Sequence, residues 1–208
     1  MPPAPTPARA RSRAGFTLIE LLTVMAIIGI LAGLTFGIGR SVQQKAAIQQ
    51  ARVEIAVLAQ ALEAYKRTYG DYPRTAASTT NKASSDTTPS SSDGPGILFN
   101  ALTGKRGPLT DETIKVSGKV FIELAKFKTQ NTNFPDPSAT VYTKIENALT
   151  DPWGQRYLYS YKPDNGATWK NQSYLLYSIG PDGLDTPTID GSIDTTSDTN
   201  LDNIYANR

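Results

Sequence analysis

The 208-residue sequence contains no cysteine and no histidine. The absence of both excludes Ser-His-Asp and Cys-His catalysis, zinc sites built on imidazole or thiolate, and iron–sulfur clusters. Disulfides are excluded too, so a domain outside the cytoplasm must be held by packing or by a metal with oxygen ligands. The net charge is only +2, from 21 basic and 19 acidic residues, and does not favour nucleic-acid binding.

The N-terminus has the pattern of a membrane-targeting segment. Residues 1–15 contain no acidic residue and carry three arginines, and the next 24 residues, 16–39, form a mainly apolar run with one charge, Glu20. Such a run can cross a membrane as a helix, and the arginines keep its N-terminal side in the cytoplasm. A secretory signal peptide fits poorly, because its cleavage site would follow the apolar run. The sequence predicts a single-pass anchor with the remaining chain outside the cytoplasm.

The one acidic residue of this segment needs a partner, since a carboxylate in a membrane helix is costly by itself. Cleavage between Gly15 and Phe16 would create a new α-amino group at Phe16. A neighbouring subunit could present that amine to Glu20, so that two buried opposite charges compensate each other between chains. The position of Glu20 therefore suggests assembly into a larger structure.

The run RAGFTLIELL, residues 13–22, resembles the type IV prepilin-like signal. In that family a membrane enzyme, the prepilin peptidase, cleaves after the glycine and methylates the new N-terminal phenylalanine. The resemblance implies Gly15 as the cleavage residue, Phe16 as the methylated terminus and Glu20 as the assembly residue. Loss of the leader, residues 1–15, would change the net side-chain charge from +2 to −1.

A second helical stretch is predicted directly after the apolar run. Residues 40–69 contain no proline or glycine. Gly70 and Pro73 then predict the end of the helix at about Tyr69, so that this segment comprises residues 40–72. Apolar residues recur at steps of four and three, which gives one continuous stripe along a helix face: Ala51, Ile55, Leu58, Leu62, Tyr65 and Tyr69. The stripe must be buried on a domain, which residues 73–208 supply.

The first part of that domain gives weaker signals. Residues 75–96 are rich in serine and threonine and predict an exposed loop. Leu98 and Leu102 indicate a short helix, and the apolar residues within 120–127 suggest another. We interpret these residues as core contacts.

Two tyrosine-rich runs, 156–162 and 173–179, predict an antiparallel β-hairpin within residues 151–179. Such an aromatic stripe is more typical of a half-buried sheet packed on the long helix than of a ligand-binding surface. The helix exit YGDYP, residues 69–73, and the turn DPWG, residues 151–154, resemble those of the major pseudopilins of type II secretion systems.

The C-terminal region 178–204 is the one candidate for a chemical site. Six aspartates occur in 21 residues, with no basic residue before Arg208: Asp182, Asp185, Asp190, Asp194, Asp198 and Asp202. Clustered carboxylates repel one another, and a hard cation with oxygen ligands relieves this repulsion. Calcium suits a flexible loop better than magnesium does, although the spacing is not that of an EF-hand. Acidic tails are also often merely solvated, and spacing alone leaves that alternative open.

The segment SIGPDG, residues 178–183, looks like the start of the pseudopilin calcium loop, and Asp202 resembles its closing aspartate. The resemblance implies Asp182 and Asp202 as side-chain ligands of calcium, with the carbonyls of Ile179 and Leu184. It leaves open which further aspartates take part, among Asp185, Asp190, Asp194 and Asp198.

Together these features predict an α+β protein: a long N-terminal helix, half transmembrane and half amphipathic, packed on a small antiparallel sheet with an acidic calcium loop. The resemblance implies a structural pseudopilin rather than an enzyme. Its expected partners are copies of itself, prepilin peptidase, minor pseudopilins and other inner-membrane components of type II secretion, with no nucleic acid. It would wait in the inner membrane, its C-terminal domain in the periplasm, and then assemble into a periplasmic pseudopilus.

Other interpretations stay open on the sequence alone. The nearest is a subunit of a type IV pilus or of a DNA-uptake pseudopilus, against which the missing C-terminal cysteine pair weighs mildly. A second is a membrane-anchored, calcium-dependent binding module that displays the Ser/Thr-rich loop. A hydrolase with two carboxylates is disfavoured, because the acids lie in one loop rather than across a cleft.

Overall fold

The computed structural model describes residues 1, 15–75, 90–109, 118–131, 145–162, 169–187 and 190–206, without the side chains of 34–40. The chain forms two compact units, Met1–Gln43 and Gln44–Arg208. Most of the predicted leader lies outside the described residues, as do the side chains that end the predicted membrane segment.

The longest element is helix α1, Leu18–Tyr69, with 52 residues. It ends where the sequence predicts, because Gly70 adopts a φ of +89° and its N–H donates to the carbonyl of Lys66 at 2.7 Å. A left-handed glycine that satisfies one of the last free carbonyls is a common helix terminus.

Within Met1–Gln43, the large apolar side chains of α1 that the structure describes are exposed, among them Leu18, Ile19, Leu22, Met25 and Ile30. No helix in the described part of the chain is both long enough and apolar enough to span a membrane.

Within Gln44–Arg208, the predicted stripe of α1 is the helical side of the main hydrophobic core. Ala51, Ile55, Leu58, Leu62 and Tyr65 are buried, and Tyr69 is half-buried. Ile55, Leu58 and Leu62 belong to the same core cluster as three side chains from the tyrosine-rich run, Tyr157, Tyr159 and Tyr161. The 3.6-residue period of the sequence thus identified the buried face correctly.

The predicted antiparallel pairing is present and extends to a third strand. Strands β3 (Leu158–Ser160), β4 (Leu175–Ser178) and β5 (Ile204–Tyr205) form one sheet in that order. Both pairings are antiparallel, with Leu158 and Tyr205 each opposite Tyr177. A second, two-stranded antiparallel sheet pairs β1 (Lys128–Thr129) with β2 (Leu149–Thr150).

The three-stranded sheet is covered on both faces, whereas the sequence predicted a half-buried one. Its second face forms a separate apolar cluster around Leu158, Leu175 and Tyr177. Trp169 and Ile193 pack on that cluster, so the aspartate-rich segment covers this face of the sheet. Strand residues buried on both faces lose the simple apolar and polar alternation.

The end of the predicted Ser/Thr-rich loop is helical instead. Helix α2 is Gly94–Leu102, and all nine of its residues are buried. Its N-cap Asp93 accepts a hydrogen bond from the N–H of Gly96 at 2.8 Å, and Pro95 occupies a first-turn position that tolerates proline. The exposed-loop prediction is therefore wrong for Thr75 and for residues 93–96, which are buried, while residues 76–89 lie outside the described part.

The second short helix expected at 120–127 is reduced to one 3₁₀ turn, Leu124–Lys126. A second 3₁₀ turn, Asp198–Asn200, precedes strand β5.

Candidate functional site

The predicted processing residues lie just before the start of α1. Gly15 and Phe16 precede the helix and are exposed, and nothing lies within 4 Å of a Cβ built on Gly15. Within the described part of the chain, no neighbouring side chain therefore covers these two residues.

The assembly residue Glu20 also closes the first turn of α1. Its Oε2 accepts hydrogen bonds from the backbone N–H of Thr17 at 2.9 Å and from the Thr17 hydroxyl at 2.8 Å. The N–H of Glu20 in turn lies 3.4 Å from the Thr17 Oγ1. This reciprocal arrangement is a capping box, which the T-x-x-E spacing encodes but which was not among the sequence predictions.

The aspartate loop brings together two of its six carboxylates. Asp182 and Asp202 are 20 residues apart, yet the N–H of Asp182 donates to Asp202 Oδ2 at 3.1 Å. The Asp182 carboxylate itself turns back on its loop, where its Oδ1 accepts from the N–H of Leu184 at 2.8 Å. These are the two residues that the family resemblance singled out as side-chain ligands.

The electrostatics of this pair fit a cation. Burial raises the pKa of the Asp202 carboxyl, and the neighbouring Asp182 carboxylate adds to the rise. Asp202 Oδ1 is buried and accepts no hydrogen bond within the described residues. A buried carboxylate oxygen without a donor is unfavourable unless it is protonated or meets a cation.

The close approach of the loop depends on Gly180. Its φ is +73°, and a Cβ placed there would lie 2.5 Å from the carbonyl oxygen of Asp202 and 2.8 Å from its Oδ2. Only a glycine therefore allows the first turn of the loop to lie against its closing aspartate.

The other four aspartates lie apart from this pair. Asp185 accepts from the Tyr177 hydroxyl at 2.9 Å and from the Asn203 amide at 3.2 Å, and burial raises the pKa of its carboxyl. Asp190 forms an ion pair with Lys170 at 2.5 Å, which lowers its pKa.

The remaining two of these aspartates are at or near the surface. Asp194 accepts from the Thr196 hydroxyl and N–H at 2.7 and 2.8 Å, and both bonds lower its pKa. Asp198 is exposed at the start of its 3₁₀ turn.

Among the described residues, no group of three or more His, Cys, Asp or Glu side chains is arranged to hold a metal ion. A cation between Asp182 and Asp202 would need backbone carbonyls or water as its further ligands, which calcium accepts. Both predicted carbonyl ligands have apolar side chains. The side chain of Ile179 is buried and contributes to packing, whereas that of Leu184 is exposed and does not.

A buried contact that was not predicted from the sequence reaches this loop. Asp151, in the DPWG turn, accepts a hydrogen bond from the Ser178 hydroxyl at 2.6 Å. Both residues are fully buried, and burial raises the pKa of the Asp151 carboxyl against the effect of its hydrogen bonds. No sequence signal links two residues 27 positions apart.

The N-terminal segment matches a known protein family. Residues 10–36 match the family described as the prokaryotic N-terminal methylation motif. The N-terminal segment carries a prepilin-type signal. The match includes Gly15, Phe16 and Glu20, the three residues named for processing and assembly.

Two curated relatives are similar over a longer stretch. The chain is 40% identical over 65 residues to type II secretion system core protein G of Pseudomonas aeruginosa, and equally to that of Aeromonas hydrophila. Each alignment covers 31% of this chain and 46% of the relative, so the chain spans about half the length of the relatives it matches. No solved structure matches the chain. These findings support the resemblance to major pseudopilins that the sequence motifs indicated.

Proposed function

We propose that this protein is a structural pseudopilin subunit of a type II secretion system. The prepilin-type signal at the start of a 52-residue helix is the observation that carries the proposal. Copies of the subunit polymerise into a periplasmic pseudopilus that drives protein export. Minor pseudopilins and inner-membrane components of the system are its further partners.

In this proposal residues 16–39 anchor the precursor in the inner membrane, with the arginine-rich leader in the cytoplasm and the C-terminal domain in the periplasm. Prepilin peptidase cleaves after Gly15 and methylates Phe16. The exposed position of both residues ahead of α1 is compatible with access by a peptidase. The subunit acts by assembly and not by catalysis.

Glu20 has two functions in this scheme. In the single subunit its carboxylate caps α1 through Thr17, and in the filament it meets the α-amino group of Phe16 from a neighbouring subunit. Both of its contacts in the described structure use Oε2. Glu20 is exposed, and these two bonds leave Oε1 unused among the described residues, so capping and pairing are compatible.

The capping box makes a sharper test possible than alanine replacement alone. Glu20→Gln retains an oxygen that can accept the hydrogen bonds of the cap but removes the charge, and Thr17→Ala removes the hydroxyl from the capping box while retaining the charge. We expect Glu20→Ala and Glu20→Gln to abolish or misalign filaments while the protein remains in the membrane fraction. Thr17→Ala should still assemble.

Electron microscopy of filaments, secretion of a reporter exoprotein and mass spectrometry of the mature N-terminus are the measurements. The mass spectrum of wild-type protein should show a chain that begins at methylated Phe16. Normal filaments from Glu20→Gln would refute charge pairing, and an uncleaved wild-type N-terminus would refute the pseudopilin assignment.

We also propose that the aspartate loop binds calcium through Asp182 and Asp202, with the carbonyls of Ile179 and Leu184. Asp202 Oδ1, which is buried and has no hydrogen-bond partner in the described part of the chain, and the glycine that allows the close approach support this set. When bound, calcium would neutralise the paired carboxylates and fasten strand β5 to the loop that follows β4. In a chain without disulfides the binding energy would add directly to stability.

Calorimetry of the full chain in detergent tests this proposal. The unfolding temperature should be higher in calcium than in chelator, and Asp202→Asn should remove the difference. Asp198→Asn is the matched control, because Asp198 lies in the same loop but is exposed and apart from the pair. An identical transition of the wild type in calcium and in chelator would rule out a stabilising site.

A further inference from the structure

Strand β4 ends in a hydrogen-bonded connection that leads from the DPWG turn to the aspartate loop. Ser178, its last residue, donates its hydroxyl to Asp151 Oδ2 at 2.6 Å. The same Ser178 oxygen accepts a hydrogen bond from the N–H of Gly180 at 3.1 Å. The connection therefore runs from Asp151 through Ser178 to the glycine at the start of the loop.

Asp151 is a fixed anchor for this connection. Its Oδ1 accepts from the N–H groups of Trp153 and Gln155 at 3.0 and 2.9 Å, and its own N–H donates to the carbonyl of Gln155 at 2.8 Å. The carboxylate is thus oriented by its own turn before it meets Ser178. A rigid, fully buried acceptor can impose a position on its partner.

The direction of each hydrogen bond follows from the chemistry of the groups. A hydroxyl has one proton, and an ionised carboxylate can only accept. Ser178 therefore gives its proton to Asp151, and its lone pairs remain available for the N–H of Gly180. An asparagine amide at position 151 could donate to the Ser178 hydroxyl instead of accepting from it. The Ser178 hydroxyl would then no longer be held in one orientation.

Gly180 is the residue against which the candidate cation site closes. A Cβ on it would lie 2.5 Å from the carbonyl oxygen of Asp202, and the next backbone N–H along the chain, that of Asp182, donates to Asp202 Oδ2. A small rotation at Gly180 would therefore change the distance between the two carboxylates. We propose that Asp151 and Ser178 are positioning residues for the cation site, which they preorganise through Gly180.

This inference rests on the proposed calcium site and assigns a function to the DPWG turn. Groups that orient metal ligands through hydrogen bonds typically change metal affinity by about 10- to 100-fold when they are replaced. A residue that only stabilises the core would lower the unfolding temperature without a change of that size in affinity.

Isothermal titration of the full chain in detergent with calcium chloride separates these two roles. We expect Asp151→Asn and Ser178→Ala each to weaken calcium binding by about tenfold or more. The double variant should be no weaker than the poorer single variant, because both act through one connection. Asp93→Asn is the matched control: Asp93 is also a buried aspartate, but it caps α2 instead.

The calcium-free protein provides a second measurement. Exchange of the Gly180 amide proton, followed by NMR in chelator, should be faster in Ser178→Ala and unchanged in Asp93→Asn. If Asp151→Asn does not fold, Ser178→Ala still tests the inference, because it leaves the bonds of Asp151 to its own turn intact.

The outcomes distinguish this inference from the proposal on which it depends. A wild-type chain that binds no calcium overturns the cation site and the inference with it. Wild-type binding with unchanged affinity in Asp151→Asn and Ser178→Ala overturns the inference alone. Weakened binding in both variants, with wild-type affinity in Asp93→Asn, supports it.

Discussion

At the scale of single residues, Glu20 and Gly180 carry more than their sequence patterns suggest. The sequence predicts an assembly role for Glu20, and the structure adds the cap that it forms with Thr17. That cap was predictable, because T-x-x-E before an apolar run is a helix-start signal. The contact of Gly180 with Asp202 was not, since it joins residues 22 positions apart.

Two glycines with positive φ allow a test of the contact between Gly180 and Asp202. Gly154 and Gly180 have φ values of +90° and +73°, but of the two only Gly180 has atoms within 4 Å of the position that a Cβ would occupy. Gly154→Ala should lower the free energy of unfolding by about 1 to 2 kcal/mol, the cost of the left-handed conformation. Gly180→Ala should lower it further, because its methyl group would also overlap Asp202.

Denaturation of the full chain in chelator, followed by tryptophan fluorescence, measures both effects without a contribution from calcium. Trp153 and Trp169 both belong to the unit Gln44–Arg208, so the signal reports on the domain that contains the two glycines. Equal destabilisation by the two substitutions would contradict the close approach at Gly180.

At the scale of elements, the apolar periodicity of α1 was predictable from the sequence, whereas the start of α2 was not. The stripe of α1 follows from spacing alone, and its five inner members are buried. Helix α2 begins with Gly94-Pro95-Gly96, a composition that predicts a loop. The structure shows instead that Asp93 caps a helix there and that all nine residues of the helix are buried. Local composition misled there because tertiary burial outweighed weak helix propensity.

The stripe predicts a large contrast between neighbouring positions of α1. Leu58 is fully buried in the core cluster, whereas Val57 is 42% exposed. Leu58→Ala should lower the free energy of unfolding by about 2 to 5 kcal/mol, because it removes buried methyl groups and leaves a cavity. Val57→Ala should change it by no more than about 0.5 kcal/mol.

Urea denaturation of the two variants under the same detergent conditions makes the comparison. The two positions are adjacent on one helix, so differences in helix propensity or expression cannot account for a gap of several kcal/mol. Similar losses at Leu58 and Val57 would show that the α1 stripe is not the inner face in solution.

At the scale of the whole molecule, the sequence predicted the fold class and the main packing of helix on sheet. It did not predict that the sheet is covered on both faces, because Trp169 and Ile193 reach the second face from the irregular segments before and after β4. It also supplied the two candidate ligands, Asp182 and Asp202, only through family resemblance. Their proximity is a product of the paired strands β4 and β5, which short-range patterns do not encode.

The same burial gives the molecule a characteristic pH dependence. Desolvation raises the pKa of the Asp93 and Asp151 carboxyls, and at Asp93 it outweighs the attraction of Arg156 at 3.8 Å. A folded protein with raised carboxyl pKa values binds more protons than the unfolded chain above about pH 4, the ordinary aspartate pKa. The contribution of these two carboxyls to the free energy of unfolding must then fall as the pH rises from there through the raised values, by at most about 1.4 kcal/mol per pH unit and group.

Asp93→Asn isolates this effect, because an amide does not titrate. The stability difference between wild type and Asp93→Asn, measured by denaturation in chelator, should favour the wild type most near pH 4 and shrink as the pH approaches 7. Asp190→Asn should behave in the opposite way, since Lys170 lowers the pKa of Asp190 and its contribution is present above about pH 4 and lost only below it. A wild-type advantage over Asp93→Asn that grows with pH would mean that the ion pair with Arg156, and not burial, governs this carboxylate.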